Sequence, residues 1–154
     1  MDSFLLPEYS LEKICSDKLN DEYIIFNITN SVGEKVASLT CIVFTKQELA
    51  YLQNLFSNEK GRRLGSFLIS KMCDCLIKDY PQIKKIELDD ATSILPPQNI
   101  YYKLGFKVRD NKSNRFINWN TWLKRYYSSY EYPNEERRIN LFTLNVNVKK
   151  YLFA

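Results

Sequence analysis

The sequence predicts one mixed α/β domain over residues 1–154, in which an antiparallel meander is followed by a β-α-β crossover with parallel strands. β-branched and aromatic runs at 22–29, 35–44 and 49–56, separated by turn residues, predict the meander. Apolar residues recur at helical spacing from Ile69 onward and predict the crossover helix. A chain of 154 residues has the length of one domain and is long enough to bury a core.

The hydrophobic patterns that predict the amino-terminal elements differ in strength. Residues 1–21 are weakly patterned and predict only a short strand and a helical turn. A glycine-bearing turn at 30–33 and a second turn at 45–48 separate the strands of the meander. The helix is expected to end at Tyr80, because Pro81 cannot continue a helix and disfavours helix in the residue before it.

The second half begins with a strand at 83–89, which follows the crossover helix and is therefore expected to pair in parallel with the last meander strand. Two prolines open a short helix at 98–104, which Gly105 ends, and a strand at 105–108 follows. Alternation of apolar and polar residues at 138–151 predicts a final half-buried strand.

Residues 109–138 are an atypical insertion that is rich in aromatic residues. If residues 118–130 are helical, four aromatics share one face: Trp119, Trp122, Tyr126 and Tyr130. Packing in the core is the first interpretation, since aromatic stripes at helical spacing are usually core. Stacking on single-stranded nucleic acid is the alternative, because the segment also carries cations. Its glutamates disfavour that alternative, and no nucleic-acid binding is expected.

The composition excludes several kinds of active site. The chain contains no histidine, which rules out Ser-His-Asp and Cys-His catalysis and histidine-ligated zinc or haem. The cysteines have no framework spacing, and Cys73 and Cys75 point apart on the helix, which favours buried thiols over a shared metal. The net charge of +4, from 22 basic and 18 acidic residues, suits an anionic ligand and is too small for a dedicated nucleic-acid binder.

The sequence shows no signal for a membrane. No apolar run reaches the ~18 residues that a membrane span needs. Residues 1–7 lack the charged start and the long apolar stretch of a signal peptide. We therefore expect an intracellular, cytoplasmic protein with no membrane partner.

Residues 50–76 organise the predicted domain, because an apolar strand there enters a short loop with two glycines and the loop enters the helix. The loop delivers its backbone N–H groups to a helix N-terminus, beside Lys60, Arg62 and Arg63. Free amides and the positive end of a helix dipole make such a junction an anion site. A plain connection between a strand and a helix would account for the same residues.

This loop resembles the acyl-CoA pyrophosphate loop of the GNAT-type N-acetyltransferase superfamily, whose pattern is Arg/Gln-x-x-Gly-x-Gly/Ala after a strand. A second stretch, YYKLGF at 101–106, resembles the Tyr-x-Lys-Leu-Gly-Phe element of the same family and begins forty residues after Gly61. The resemblance covers residues 22–106 and, more loosely, 140–148. It implies a GNAT-like fold in which the two parallel strands splay apart.

The resemblance implies acetyl transfer from acetyl-CoA, a cosubstrate, to an amine of a protein or small molecule. The amine attacks directly in a ternary complex, with no metal. Acyl-pantetheine would lie between the splayed strands, and the pyrophosphate would bind the loop. The implied coenzyme-binding residues are Leu55, Phe56, Ser57, Lys60, Gly61, Arg62, Arg63, Leu64, Gly65 and Ser66.

The resemblance also suggests the groups that move protons. Tyr101 matches the tyrosine that often serves as the acid for the leaving thiolate, and an aromatic that anchors the helix is the alternative. Asp89 is expected to be the general base, with Asp90 or a water relay as alternatives.

Three departures from the family pattern bear on activity. Arg63 stands where the pattern has its middle glycine, so its side chain either clashes with the phosphate or replaces the lost backbone approach with a guanidinium contact. The loop is short between Ser57 and Gly61, and Gln53 occupies a position where several family members carry a catalytic glutamate. These departures keep open a second hypothesis, a catalytically inactive GNAT-fold binding or interaction protein.

The acceptor side of the implied cleft also departs from the family. Few residues precede the meander, fewer than the strand and two helices that usually wall this side. Residues 109–138 are expected to supply that wall instead. A homodimer and the identity of the amine acceptor are left open.

Overall fold

The computed structural model of this protein describes residues 5–18, 21–90, 94, 96–110, 112–113, 115–127 and 141–144. The described residues form two compact units, one within Met1–Lys85 and the other within Ile86–Asn145. The first unit holds the predicted meander, the loop and the helix, and the second holds the later strands and part of the aromatic segment. None of the helices in these ranges is long and apolar enough to cross a bilayer.

Four antiparallel strands in sequential order form the sheet of the first unit. They are β1, Ser10–Lys18; β2, Asp21–Thr29; β3, Lys35–Phe44; and β4, Leu49–Ser57. The turn between β2 and β3 closes on the side chain of Asn30, which accepts hydrogen bonds from the N–H groups of Val32 and Glu34 at 3.1 and 2.9 Å. The predicted meander is confirmed, with an additional strand before it.

The additional strand, β1, differs from its prediction as a short strand with a helical turn. Its nine residues pair with the whole of β2, from Ser10 opposite Thr29 to Lys18 opposite Asp21. Residues 10–17 are all exposed or half-buried. A strand without a buried face does not require apolar and polar residues to alternate, and this explains why the hydrophobic pattern of residues 1–21 is weak.

Helix α1 spans Leu64–Asp79 and packs against the sheet of the first unit. Four residues of the predicted apolar face are fully buried: Ile69, Met72, Cys73 and Leu76. Burial of one such aliphatic side chain contributes about 1.5–3 kcal/mol. Ile77, predicted on the same face, is 42% exposed. The N–H of Tyr80 still donates to the carbonyl of Leu76 at 2.9 Å, and the helix ends there as predicted.

The strands of the second unit are antiparallel neighbours in the order β5, β8, β6 and β7. These strands are β5, Lys85–Asp89; β6, Lys107–Arg109; β7, Phe116–Ile117; and β8, Leu141–Leu144. β8 is the described part of the predicted strand at 138–151, whose other residues lie outside the described ranges. β7 was not predicted, because two residues are too short to show alternation.

Two short helices lie in the second unit, α2 at Ile100–Lys103 and α3 at Trp119–Trp122. The aromatic segment begins with α3 and continues in a π-helical turn at Leu123–Tyr127. Trp119 and Trp122 are 3% and 0% exposed, and their rings meet edge to face with centroids 5.8 Å apart. The packing interpretation is thus confirmed for these two side chains. Tyr130 and the side chain of Tyr126 lie outside what the structure describes.

Candidate functional site

The loop between β4 and α1 turns through two residues with left-handed backbone. Gly61 has a φ of +76° and Arg63 a φ of +56°. A Cβ on Gly61 would meet no atom within 4 Å. This position therefore favours glycine because of its left-handed backbone, and a side chain would not be excluded by neighbouring atoms. Both left-handed residues precede Leu64, the first residue of α1.

Arg63 stands at the N-cap of α1 in a conformation that ordinarily favours glycine. The left-handed backbone at this position gives a physical reason for the middle glycine of the GNAT loop pattern that this loop resembles. A non-glycine residue in this region costs roughly 1–2 kcal/mol. The side chain of Arg63 makes no cap hydrogen bond to the helix, so capping does not offset the cost.

The first turn of α1 presents a row of backbone donors. The N–H of Phe67 donates to the carbonyl of Arg63 at 3.0 Å and closes the first helical turn. The three N–H groups before it, on Leu64, Gly65 and Ser66, have no intrahelical acceptor by the geometry of any α-helix. They lie at the positive end of the dipole of a 16-residue helix.

Residues before β1 brace this loop. The Tyr9 hydroxyl, on a residue that is 7% exposed, donates a hydrogen bond to the carboxylate of Glu59. That hydrogen bond is the main reason that the pKa of Tyr9 is raised, followed by burial. The Arg62 guanidinium lies 3.5 Å from the Glu8 carboxylate. From the other side, the N–H of Asn58 donates to the carbonyl of Val36 at 2.8 Å.

The basic residues of the loop therefore differ in what they already contact. Arg62 has part of its charge offset by Glu8. Lys60 and Arg63 are exposed and form no ion pair within the described ranges. These two are the cations that remain for an anionic ligand.

A β-bulge interrupts β4 shortly before the loop. Thr40 of β3 lies opposite Asn54 and Cys41 lies opposite Leu52, so Gln53 has no opposite residue. Gln53 and Asn54 are exposed, whereas Leu55 and Phe56 are half-buried. Bulges redirect side chains and are frequent beside functional sites. Sequence reasoning missed this bulge, and the polar Gln-Asn pair inside an apolar run was the signal that could have found it.

In the second unit, Tyr101 lies on a short helix, α2, at Ile100–Lys103, which is shorter than the predicted 98–104. The side chain of Asn99 caps this helix by accepting from the N–H groups of Tyr101 and Tyr102 at 2.9 and 3.2 Å. Tyr101 is 7% exposed, and its pKa is raised above the usual range by burial first and by the Asp90 carboxylate second. Its hydroxyl is therefore protonated at neutral pH.

The two aspartates at the end of β5 have different surroundings. Asp89 is exposed, whereas Asp90 is 2% exposed and accepts a hydrogen bond of 2.8 Å from the side-chain amide of Asn99. The same amide donates to the carbonyl of Ile94 at 2.8 Å. Sequence reasoning singled out Asp89 and missed Asn99, which connects Asp90 to the helix that carries Tyr101. Within the described residues, no group of three or more cysteine or acidic side chains is arranged to hold a metal.

No family model and no curated protein matches this chain. An acetyltransferase of the GNAT family from Staphylococcus aureus matches its structure with a TM-score of 0.54 and 13% identity, over 80% of this chain and 68% of that one. A spermidine N-acetyltransferase from Vibrio cholerae, solved as a dodecamer, matches with a TM-score of 0.53 and 13% identity, over 95% of this chain and 97% of that one. The chain has the fold of these GNAT proteins, and the predicted fold class is confirmed.

Proposed function

We propose that this chain, which has the GNAT fold, is an acetyl-CoA-dependent N-acetyltransferase that acts on an amine. The observation that carries the proposal is the loop before α1. Two left-handed residues there precede the free amides of α1, and the loop carries Lys60 and Arg63, which form no ion pair with any described residue. Amides at a helix N-terminus together with lysine and arginine side chains are what a pyrophosphate group requires.

The proposed coenzyme contacts follow the chain from β4 into α1. Leu55, Phe56 and Ser57 would contact the pantetheine and the thioester, beyond the bulge at Gln53. Gly61 through Ser66 would donate backbone N–H groups to the pyrophosphate, and Lys60 and Arg63 would add charge. Arg62 would contribute less, because Glu8 already pairs with it.

The proposed chemistry needs little besides positioning. An amine that has lost its proton attacks the thioester carbon, the tetrahedral oxyanion collapses, and coenzyme A leaves as its thiolate. Tyr101 would donate a hydrogen bond to that thiolate and supply its proton. Because the pKa of Tyr101 is raised, the hydroxyl retains its proton strongly. We therefore assign it a stabilising hydrogen bond that precedes full proton transfer.

Asp89 would accept the proton of the amine, directly or through water. It is exposed and can exchange protons with solvent. Asp90 is the alternative, although its carboxylate is buried and already bonded to Asn99. The acceptor, a protein or small-molecule amine, and the cytoplasmic location stay predictions.

A transfer assay tests the function directly. The purified chain is incubated with acetyl-CoA and a panel of amines and amino-terminal peptides, and both free thiol and acetylated product are measured. We expect product in proportion to thiol release for at least one class of amine. Thiol release without an acetylated product would indicate hydrolysis and would contradict the proposal.

A GNAT-fold binding protein without catalysis is the second candidate. The observation that favours it is Gln53, which is exposed at the bulge and has an amide that cannot serve as a base. This candidate binds acetyl-CoA and transfers nothing. Coenzyme binding without product from any amine in the panel would favour it.

We expect Arg63→Gly to change stability and coenzyme affinity in opposite directions. Relief of roughly 1–2 kcal/mol of left-handed strain exceeds the roughly 0.4–1 kcal/mol of entropy that glycine adds to the unfolded chain. The free energy of unfolding should rise by up to about 1.6 kcal/mol. The Kd for acetyl-CoA should also rise, because a guanidinium contact to phosphate is lost. Denaturant unfolding and calorimetric titration measure the two effects.

Glu48→Gly is the matched control, since Glu48 also has a left-handed φ, of +55°, and lies outside the loop. It should leave the Kd for acetyl-CoA unchanged. Tighter binding by Arg63→Gly would instead mean that the arginine clashes with the coenzyme.

We expect Tyr9→Phe to raise the Kd for acetyl-CoA about fivefold, since the loop loses a brace worth about 1 kcal/mol. Acetyl-pantetheine lacks the pyrophosphate that the loop would bind, so its KM should not change. Steady-state kinetics with both donors give the comparison. Tyr23→Phe, on β2, is the control. An equal loss with both donors would indicate general destabilisation and would refute a bracing role.

A further inference from the structure

The outer edge of β1 pairs with no strand among the described residues of the first unit. The strand is nine residues long, and its apolar side chains Leu11 and Ile14 are 36% and 38% exposed. Long exposed edges of this kind are ready templates for another strand, and proteins usually shorten, cover or charge them. β1 is neither short nor covered by any described residue, so its charges decide whether it repels or attracts a partner.

The charges of β1 are ordered so that the strand complements itself. When two copies pair in antiparallel fashion with Cys15 opposite Cys15, Lys13 lies opposite Asp17 and Glu12 lies opposite Lys18. By two-fold symmetry each of these opposite-charge pairs occurs twice. Opposite charges directly across an antiparallel pair stabilise it, and like charges destabilise it.

Neighbouring registers do not have this property. The smallest slip that keeps the outward N–H and C=O groups of the two edges opposite each other is two residues. It places Lys13 opposite Cys15 in one direction and Asp17 opposite Cys15 in the other, so the opposite-charge pairs are lost. The charges therefore favour the register centred on Cys15. Charges placed only to keep an edge unpaired would show no such complementarity.

Lys13 is already positioned on one face of this strand. Its ammonium lies 3.5 Å from the carboxylate of Asp79 on α1. Cys15 and Asp17 share that face, because alternate residues of a strand point the same way. Lys13 would therefore meet Asp17 of a second copy on the side of the sheet that carries α1.

We infer that β1 is an interface between two copies of this chain, which pair their edge strands in antiparallel fashion about a two-fold axis at Cys15. The paired strands would continue the sheet of one copy into the sheet of the other. Because one strand pair buries little area, the dimer should depend on concentration. This inference does not rest on the proposed enzymatic function.

A charge exchange tests the register. Sedimentation equilibrium over a wide range of protein concentration should show a monomer–dimer equilibrium for the native chain. Asp17→Lys places a lysine opposite Lys13 of the partner and should raise the dimer Kd at least tenfold. Adding Lys13→Asp to Asp17→Lys restores opposite charges and should return the dimer Kd to within threefold of the native value.

Glu34→Lys makes the same change in net charge on an exposed turn and should leave the dimer Kd unchanged. A native chain that stays monomeric at all concentrations would overturn the inference. So would a dimer that Asp17→Lys does not weaken, or one that the double variant fails to restore.

Cys15 provides a second, independent measurement, since it is exposed whereas Cys41, Cys73 and Cys75 are buried. Diamide, itself reduced to the hydrazine, oxidises two facing thiols to a disulfide. It should convert the native chain into a covalent dimer on a non-reducing gel. Cys15→Ser should abolish this product, and Asp17→Lys should reduce its rate at least tenfold. Equal rates for Asp17→Lys and the native chain would show random collision and would contradict the interface.

Discussion

Tyr101→Phe is expected to lower kcat by on the order of 10²-fold, in the lower range for loss of a general acid, while the Kd for acetyl-CoA stays within twofold. The phenyl ring fills the same buried position, so packing is retained and the hydroxyl alone is lost. Steady-state kinetics and calorimetric titration separate the two quantities. Tyr102→Phe, on the next residue of α2 and 37% exposed, is the matched control and should leave kcat unchanged.

The pH dependence of kcat is a second test of the role assigned to Tyr101. Burial and the Asp90 carboxylate raise the pKa of Tyr101, so the hydroxyl stays protonated as the pH passes the usual tyrosine value of about 10. The kcat of the native enzyme should therefore persist to alkaline pH and fall only as the pH approaches the raised pKa. Turnover of Tyr101→Phe equal to that of the native chain would reduce Tyr101 to a packing residue.

Trp122→Ala is expected to lower the free energy of unfolding by about 3–5 kcal/mol, the usual cost of removing a large buried aromatic. Trp122 is 0% exposed and packs edge to face on Trp119. Denaturant unfolding followed by far-UV circular dichroism measures the loss. Tyr102→Ala is the comparison, because the Tyr102 ring also packs on Trp119, with ring centroids 6.3 Å apart. The Tyr102 ring is partly exposed, so its loss should lower the free energy of unfolding by about 1 kcal/mol or less.

This variant also bears on the predicted acceptor wall at 109–138. A stable Trp122→Ala with a raised KM for the amine and an unchanged Kd for acetyl-CoA would contradict a purely structural role. That outcome would support the acceptor-wall prediction. A large loss of stability would mean that the tryptophan is core.

The sequence predicted the features that are encoded locally. The end of the crossover helix was predicted to within one residue, because its apolar spacing and Pro81 act over single turns. The loop before it was marked by Gly61 and three cations, which are also local. Within the meander, each strand had enough buried residues to impose a pattern.

What sequence reasoning missed depends on contacts between distant residues. β1 has no buried face, so its pairing with β2 could not be seen in its own pattern. The bulge at Gln53 exists only relative to the register of β3. The hydrogen bond between Asn99 and Asp90 joins residues nine apart in the sequence. Arg63 was recognised as a departure, but its left-handed backbone, which explains the family glycine, required the structure.

The central claim, that the loop before α1 binds the pyrophosphate of acetyl-CoA, is tested most directly by thermal unfolding with and without the coenzyme. A ligand that binds only the folded chain, at about 100 times its Kd, adds roughly 2.7 kcal/mol of stability. We expect acetyl-CoA to raise the Tm accordingly, and the combined variant Lys60→Ala and Arg63→Ala to lose most of that rise. An unchanged Tm of the native chain at millimolar acetyl-CoA would contradict both the enzyme and the coenzyme-binding protein.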